Sequence, residues 1–163
     1  MWHNLYNIFM RAIVQRAERG GVSAEGKQEK IGRGFVILLG VSDDDSEADA
    51  EYLAEKITSM RIFSDEKGKF NYSLSDIKGE ALIISQFTLF ADTLKGRRPD
   101  FIKAARPDKA VPLYELFCAK MSEKGIVVKT GVFGAHMSVE IINDGPVTIF
   151  IDSRQKIQPC SQI

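Results

Sequence analysis

The 163-residue chain carries 22 basic and 22 acidic side chains, so its overall charge gives no reason to expect a polyanion partner. With 44% hydrophobic residues, a chain of this length buries roughly two thirds of its unfolded surface, enough for one domain without disulfide or metal staples. Its two cysteines form no CxxC pair and read as reduced thiols, and His3 and His136 are too few for a histidine-built metal centre.

No stretch approaches the ~20 apolar residues of a membrane span, and residues 1–9 lack the basic start and cleavage site of a secretory signal. A cytoplasmic setting with no cofactor, metal or membrane partner is the expectation.

In chain order, residues 10–17 read as a strand and 22–31, around Glu25-Gly26-Lys27, as a hairpin-like piece. Residues 35–41 are apolar at both parities, the pattern of a central strand covered on both faces. Asp43, Asp44, Asp45 and Ser46 are N-cap candidates. Ala50, Leu53, Ile57 and Met60 then recur at helical spacing, which predicts a helix over 46–61 with the acids as its solvated start. A short strand at 62–63, a turn at Asp65-Glu66-Lys67-Gly68 and a loop over 71–78 lead to a second buried strand at 81–87.

Between 95 and 109 the charge is uneven: Lys95, Arg97, Arg98, Lys103, Arg106 and Lys109 stand against Asp100 and Asp108 alone. A helix over 108–124 follows, with Leu113, Phe117 and Met121 four apart, Pro112 in its first turn and Gly125 as its stop. Strands at 126–130, 137–142 and 147–151 complete the chain, with Asn143-Asp144-Gly145-Pro146 connecting the last two as a turn. The fold class is α/β, with two helices on one face of a sheet and a second sheet layer behind it.

Taken singly, the chemical residues have ordinary readings. Ser85 could be a nucleophile with His136 as its base, which would make a serine esterase, yet the Gly-x-Ser-x-Gly elbow is missing. Gly145-Pro146 reads as a turn, Arg16 as an exposed strand arginine and Met137 as strand core.

Taken together they carry more. Ser85-Gln86-Phe87-Thr88-Leu89-Phe90-Ala91-Asp92, Lys95-Gly96-Arg97-Arg98-Pro99 and Asn143-Asp144-Gly145-Pro146-Val147-Thr148 stand in an order and spacing that resemble the D-aminoacyl-tRNA deacylase family. So do the opening Met10-Arg11-Ala12-Ile13-Val14-Gln15-Arg16 and the run Thr130-Gly131-Val132-Phe133-Gly134-Ala135. The resemblance runs from Met10 to about Ser153. It implies the deacylase-like fold of layered sheets with two helices, a single domain over 10–153 and a tail over 154–163. Residues 1–9 depart from it, as an N-terminal extension or a misassigned start.

The resemblance further implies a homodimer with cross-subunit active sites that hydrolyses the ester of D-aminoacyl-tRNA, and glycyl-tRNA as well, because glycine is achiral. Gly145-Pro146 would be cis, reach into the other subunit's pocket and meet the substrate's α-amino group with its carbonyls. An L side chain would collide with that wall, and a thousandfold preference needs only ~4 kcal/mol. Arg16 would hold this loop.

Ser85, Gln86, Phe87 and Thr88 would form the pocket floor, with backbone N–H groups such as that of Thr88 on the oxyanion and the tRNA's terminal 2′-hydroxyl activating water. Phe133 and Met137 would hold the terminal adenine, and Lys95, Arg97 and Arg98 the phosphates. No DNA partner is implied and no role falls to His136. A noncatalytic tRNA-binding domain related to synthetase editing domains is the reading from another class.

Overall fold

The computed structural model describes residues 9–154; most of the N-terminal extension, nearly all of the tail, His3 and Cys160 lie outside the described residues. Strand β1 (Arg11–Ala24) turns at Glu25-Gly26 into β2 (Lys27–Ile31), which leads to β3 (Gly34–Gly40). Helix α1 (Glu47–Ser59), a small hairpin of β4 (Phe63–Ser64) and β5 (Phe70–Tyr72), and strand β6 (Glu80–Ser85) come next. A 3-10 turn (Phe87–Phe90), helix α2 (Pro107–Glu123), β7 (Val127–Thr130) and β8 (Ser138–Asp152) complete the order.

The expected break between 17 and 22 is absent. β1 runs through it, because Glu25 and Gly26 both take positive φ, 49° and 79°, and supply the tight reversal themselves. The strand expected over 81–87 stops at Ser85, and Phe70–Tyr72 pairs with β4 where the sequence predicts mostly loop.

β1 organises the sheet. β3 and β2 run antiparallel along one edge of it and β8 runs antiparallel along the other. β6 and β7 add in parallel beyond β3. The Lys129 ammonium lies 3.2 Å from the Glu29 carboxylate and Lys27 donates to the Thr130 carbonyl at 3.2 Å, drawing β7 towards β2. The second layer expected from the sequence is therefore the same sheet curled nearly closed.

Curling creates two cores from one strand pattern. In β3, Phe35, Ile37 and Leu39 join the helix-side core with Leu53 and Ile57 of α1 and Phe117 and Met121 of α2. Val36, one residue out of phase, packs inside the curl with Leu82, Ile84 and Val22. This is the physical meaning of the apolar runs at both parities.

The acidic run is not uniformly solvated. Asp43 and Asp44 are exposed, but Asp45 and Asp49 are buried. Asp45 accepts from the Ser42 N–H at 2.7 Å and the Ser42 hydroxyl at 3.1 Å. Asp49 accepts from the Ser46 N–H at 2.9 Å, closing the start of α1, and from the Ser153 hydroxyl at 2.9 Å. Asp49 thereby ties the start of the helix to the residue that follows β8. Burial pushes the Asp45 carboxyl up to about 6, against hydrogen bonds from Ser42 and Met10 that lower it; the Asp49 charge adds to the rise.

The largest correction concerns 143–146. These residues are no hairpin: β8 continues in one direction through them and stays paired with β1 on both sides. The register slips instead. Gln15 faces Thr148 and Ala17 faces Asn143, so three extra β8 residues bulge outward opposite Arg16; a second shift, with the extra residue on β1, follows before Arg19 faces Ile142. Arg16 is buried, donating from Nε to the Asp144 carbonyl at 3.0 Å and from Nη1 to the Ile62 carbonyl at 2.6 Å. Nε also lies 3.2 Å from the Asp144 carboxylate.

Two outcomes are expected. Because the folded pKa of Asp45 lies above its unfolded value, the folded state holds the extra proton between about pH 4 and 6, and this group's contribution to stability falls as pH rises through that window. Asp45→Asn should therefore gain on the parent protein from pH 4 to pH 7, by up to about 3 kcal/mol in urea melts. Arg16→Lys keeps the charge but loses the fork that serves two carbonyls at once. It should cost roughly 2–4 kcal/mol in the same measurement.

Candidate active site

Strands β3, β6 and β7 are parallel and end together at Gly40, Ser85 and Thr130. A cavity of about 400 Å³ opens just beyond those ends, where crevices of parallel sheets regularly form. Ser85, Gln86 and Phe87 provide its floor as β6 gives way to the 3-10 turn. Leu39 and Val41 line it from β3 and its exit, Ala110 and Tyr114 from α2, and Phe133 to Met137 from the segment before β8.

The turn lies close because Gly40 has no side chain: a Cβ there would meet the Gln86 carbonyl and the Phe90 ring, each at 2.9 Å. The Gln86 N–H closes on the Leu39 carbonyl at 2.8 Å. From the far side Arg11 donates to the Leu89 carbonyl at 2.8 Å and lies over the Phe90 ring, 5.3 Å from its centre. The N–H groups of Phe87 and Thr88 begin the turn, where geometry offers no acceptor within it. Thr88 is exposed, its hydroxyl accepting from the Gln86 amide.

The apolar wall is tied to the sheet. Tyr114 donates its buried hydroxyl to the Ile83 carbonyl at 2.7 Å, and the Phe133 ring meets it edge-on at 5.8 Å. Burial raises the Tyr114 phenol and pushes the neighbouring Cys118 thiol up to about 12, so both stay protonated at neutral pH. His136 also lines the cavity and is exposed. Among the described residues, no group of three or more His, Cys, Asp or Glu side chains is placed to hold a metal ion.

The fold thus gathers Ser85, Gln86, Phe87, Phe133 and Met137 around one cavity, with Thr88 beside it. Met137 serves two purposes, since it also packs against the core inside the curl. Gly145, Pro146 and Arg16 are not among the cavity's lining. The Gly145-Pro146 peptide is cis, both residues are exposed, and Arg16 stands behind them. Lys95, Arg97 and Arg98 are exposed on a loop pinched by paired Asp92 and Asp100, bonded at 2.9 and 3.0 Å. That loop joins the cavity through Phe101, whose ring packs edge-on against Phe87 at 5.1 Å.

Sequence reasoning assigns no role to Arg11 or Tyr114. Both act through contacts far along the chain, and neither carries a local pattern that marks it.

Comparison with known proteins gives a consistent answer. Residues 13–152 match the family model described as D-Tyr-tRNA(Tyr) deacylase. The chain is 55% identical over 148 residues to the D-aminoacyl-tRNA deacylase of Thermus aquaticus, covering 90% of this chain and 97% of that protein. It is 55% identical over 151 residues to the D-aminoacyl-tRNA deacylase of Dehalococcoides mccartyi strain BAV1, covering 92% and 99%.

Among solved structures, one titled c-Myc DNA Unwinding Element Binding Protein superposes with a TM-score of 0.79 at 42% identity, over 86% of this chain and 97% of that one. A probable eukaryotic D-amino acid tRNA deacylase superposes with a TM-score of 0.78 at 20% identity, over 88% and 98%, a likeness of fold. With a family model spanning nearly the whole described chain and relatives above half identity, this chain belongs to the D-aminoacyl-tRNA deacylase family.

Proposed function

We propose that this chain, a D-aminoacyl-tRNA deacylase, rejects L-amino acids with a backbone wall lent by a second copy of itself. The observation that carries the reading is the separation of two parts. The cavity has a floor and an apolar wall, whereas the Gly145-Pro146 bulge is presented outward, braced from behind by buried Arg16. A homodimer that inserts each bulge into the partner's cavity completes both sites at once, as a two-fold interface allows.

In such a site the bulge carbonyls accept from the α-amino group, and an L side chain would need the volume the peptide fills. Glycine carries no side chain to exclude, so glycyl-tRNA is a second substrate. The floor supplies Phe87 and Thr88 N–H groups to the developing oxyanion, while the tRNA's 2′-hydroxyl directs water at an ester that is already reactive. Phe133 and Met137 hold the terminal adenine. Lys95, Arg97 and Arg98 meet phosphates, a contribution that salt weakens.

The deciding experiment compares release of amino acid from D-tyrosyl-tRNA and L-tyrosyl-tRNA at equal enzyme concentration. Release of the D ester at least about a thousandfold faster is expected, a difference of ~4 kcal/mol; equal rates would overturn the chiral reading. Ser85→Ala should keep kcat within about tenfold, and its complete inactivation with fold intact would favour the serine-esterase reading. Gly145→Ala should lower the D over L ratio by about tenfold or more, or weaken self-association. Gly145 sits at φ 130°, and a Cβ there would meet Val147 Cγ2 at 2.9 Å and Arg16 Nη2 at 3.2 Å.

A further inference from the structure

The loop from Asp92 to Lys103 carries exposed aliphatic side chains as well as cations. Leu94 is 90% exposed and Ile102 81% exposed, more than any other large hydrophobic among the described residues. Each stands next to a cation, Leu94 beside Lys95 and Ile102 beside Lys103, with Arg97 and Arg98 at the tip between them.

The loop's two carboxylates are turned onto its own backbone. Asp92 accepts from the Leu94 N–H at 2.9 Å and Asp100 from the Ile102 N–H at 3.3 Å. Two matching turns therefore fix the backbone at both aliphatic residues. From Ile102 the chain passes through Phe101, packed edge-on against Phe87, to the cavity mouth. The loop thus presents two exposed aliphatic side chains, each next to a cation in sequence, and reaches the cavity through Phe101.

We propose that Leu94 and Ile102 are positioning residues that pack against the sugars and base faces of the unpaired 3′ strand of tRNA, while the neighbouring cations take its phosphates. The alternation of apolar and cationic side chains suits a single strand, which offers bases and phosphates in turn, and it reads no sequence. The proposal rests on the deacylase reading for the identity of the polymer.

The test is binding of deacylated tRNA, intact or trimmed of its unpaired 3′ nucleotides, followed by fluorescence anisotropy across a salt series. Leu94→Ala with Ile102→Ala should raise Kd for intact tRNA about fivefold, leave the slope of log Kd on log salt unchanged and leave the trimmed tRNA unaffected. Leu94→Met with Ile102→Met should restore binding, and Arg97→Ala with Arg98→Ala should instead flatten the salt slope by about 2.

An unchanged Kd for intact tRNA, or an equal rise for intact and trimmed tRNA, would overturn the proposal. So would a change of oligomeric state in the aliphatic double variant on sedimentation, which would assign the two side chains to contact between copies of the chain. Release of D-tyrosine by the parent protein, measured separately, reports on the deacylase reading: its absence alongside the expected binding contrast would sink that reading and leave the role of the loop standing.

Discussion

The pairing of β1 with β8 slips between Gln15 and Ala17, and the outward bulge at 144–147 exists because of that slip. A strand pair that loses register exposes backbone groups that need partners. Arg16 stands opposite the bulge and supplies them: its Nε serves the Asp144 carbonyl and carboxylate while its Nη1 reaches the Ile62 carbonyl, just past the end of α1. One buried cation thereby ties the bulge to the segment leaving the helix, and its charge is matched by the Asp144 carboxylate. A neutral side chain of equal length could not satisfy both carbonyls and balance Asp144.

The cavity depends on the same sheet at its other side. β3 and β6 are buried on both faces, since curling gives the inner face a core of its own. Strands held from both sides have fixed ends, and the floor is built on those ends. Gly40 lets the turn approach, the Leu39 carbonyl receives the Gln86 N–H, and Arg11 takes the Leu89 carbonyl from outside. Floor and bulge are each held by an arginine of β1, five residues apart in one strand.

Much of this was legible in the sequence. Helical spacing placed α1 and α2 within two residues of their ends, and apolar runs marked β3 as covered on both faces and β6 as buried. The curl was not legible, because an alternating pattern reports that a face is buried and not what buries it. The acidic run misled for a related reason: the composition of Asp43 to Asp49 suits solvent, while Asp45 meets Met10 and Asp49 meets Ser153, partners that local sequence does not bring together. At 143–146 turn-forming residues predicted reversal. The long pairing with β1 on both sides carries the chain onward instead, so tertiary pairing overrode local preference. The resemblance of motifs singled out Ser85, Gln86 and Phe87, which the fold gathers at the cavity, and Thr88, which lies beside it; the contacts of Tyr114 and Arg11 follow only from the fold.

The division between floor and bulge bears on what such a site can select. Tyr114 in the wall and Cys118 behind it are held protonated by burial, and what β3 and the start of α2 add to the wall is hydrocarbon. A pocket of that kind distinguishes side chains weakly, since a methylene more or less in an apolar site is worth only about 1–3 kcal/mol. Handedness is different, because it decides which direction a side chain takes from the α-carbon. A backbone wall braced by Arg16 opposes one direction whatever the side chain, so on the proposed reading breadth across amino acids and strictness about chirality come from the same feature.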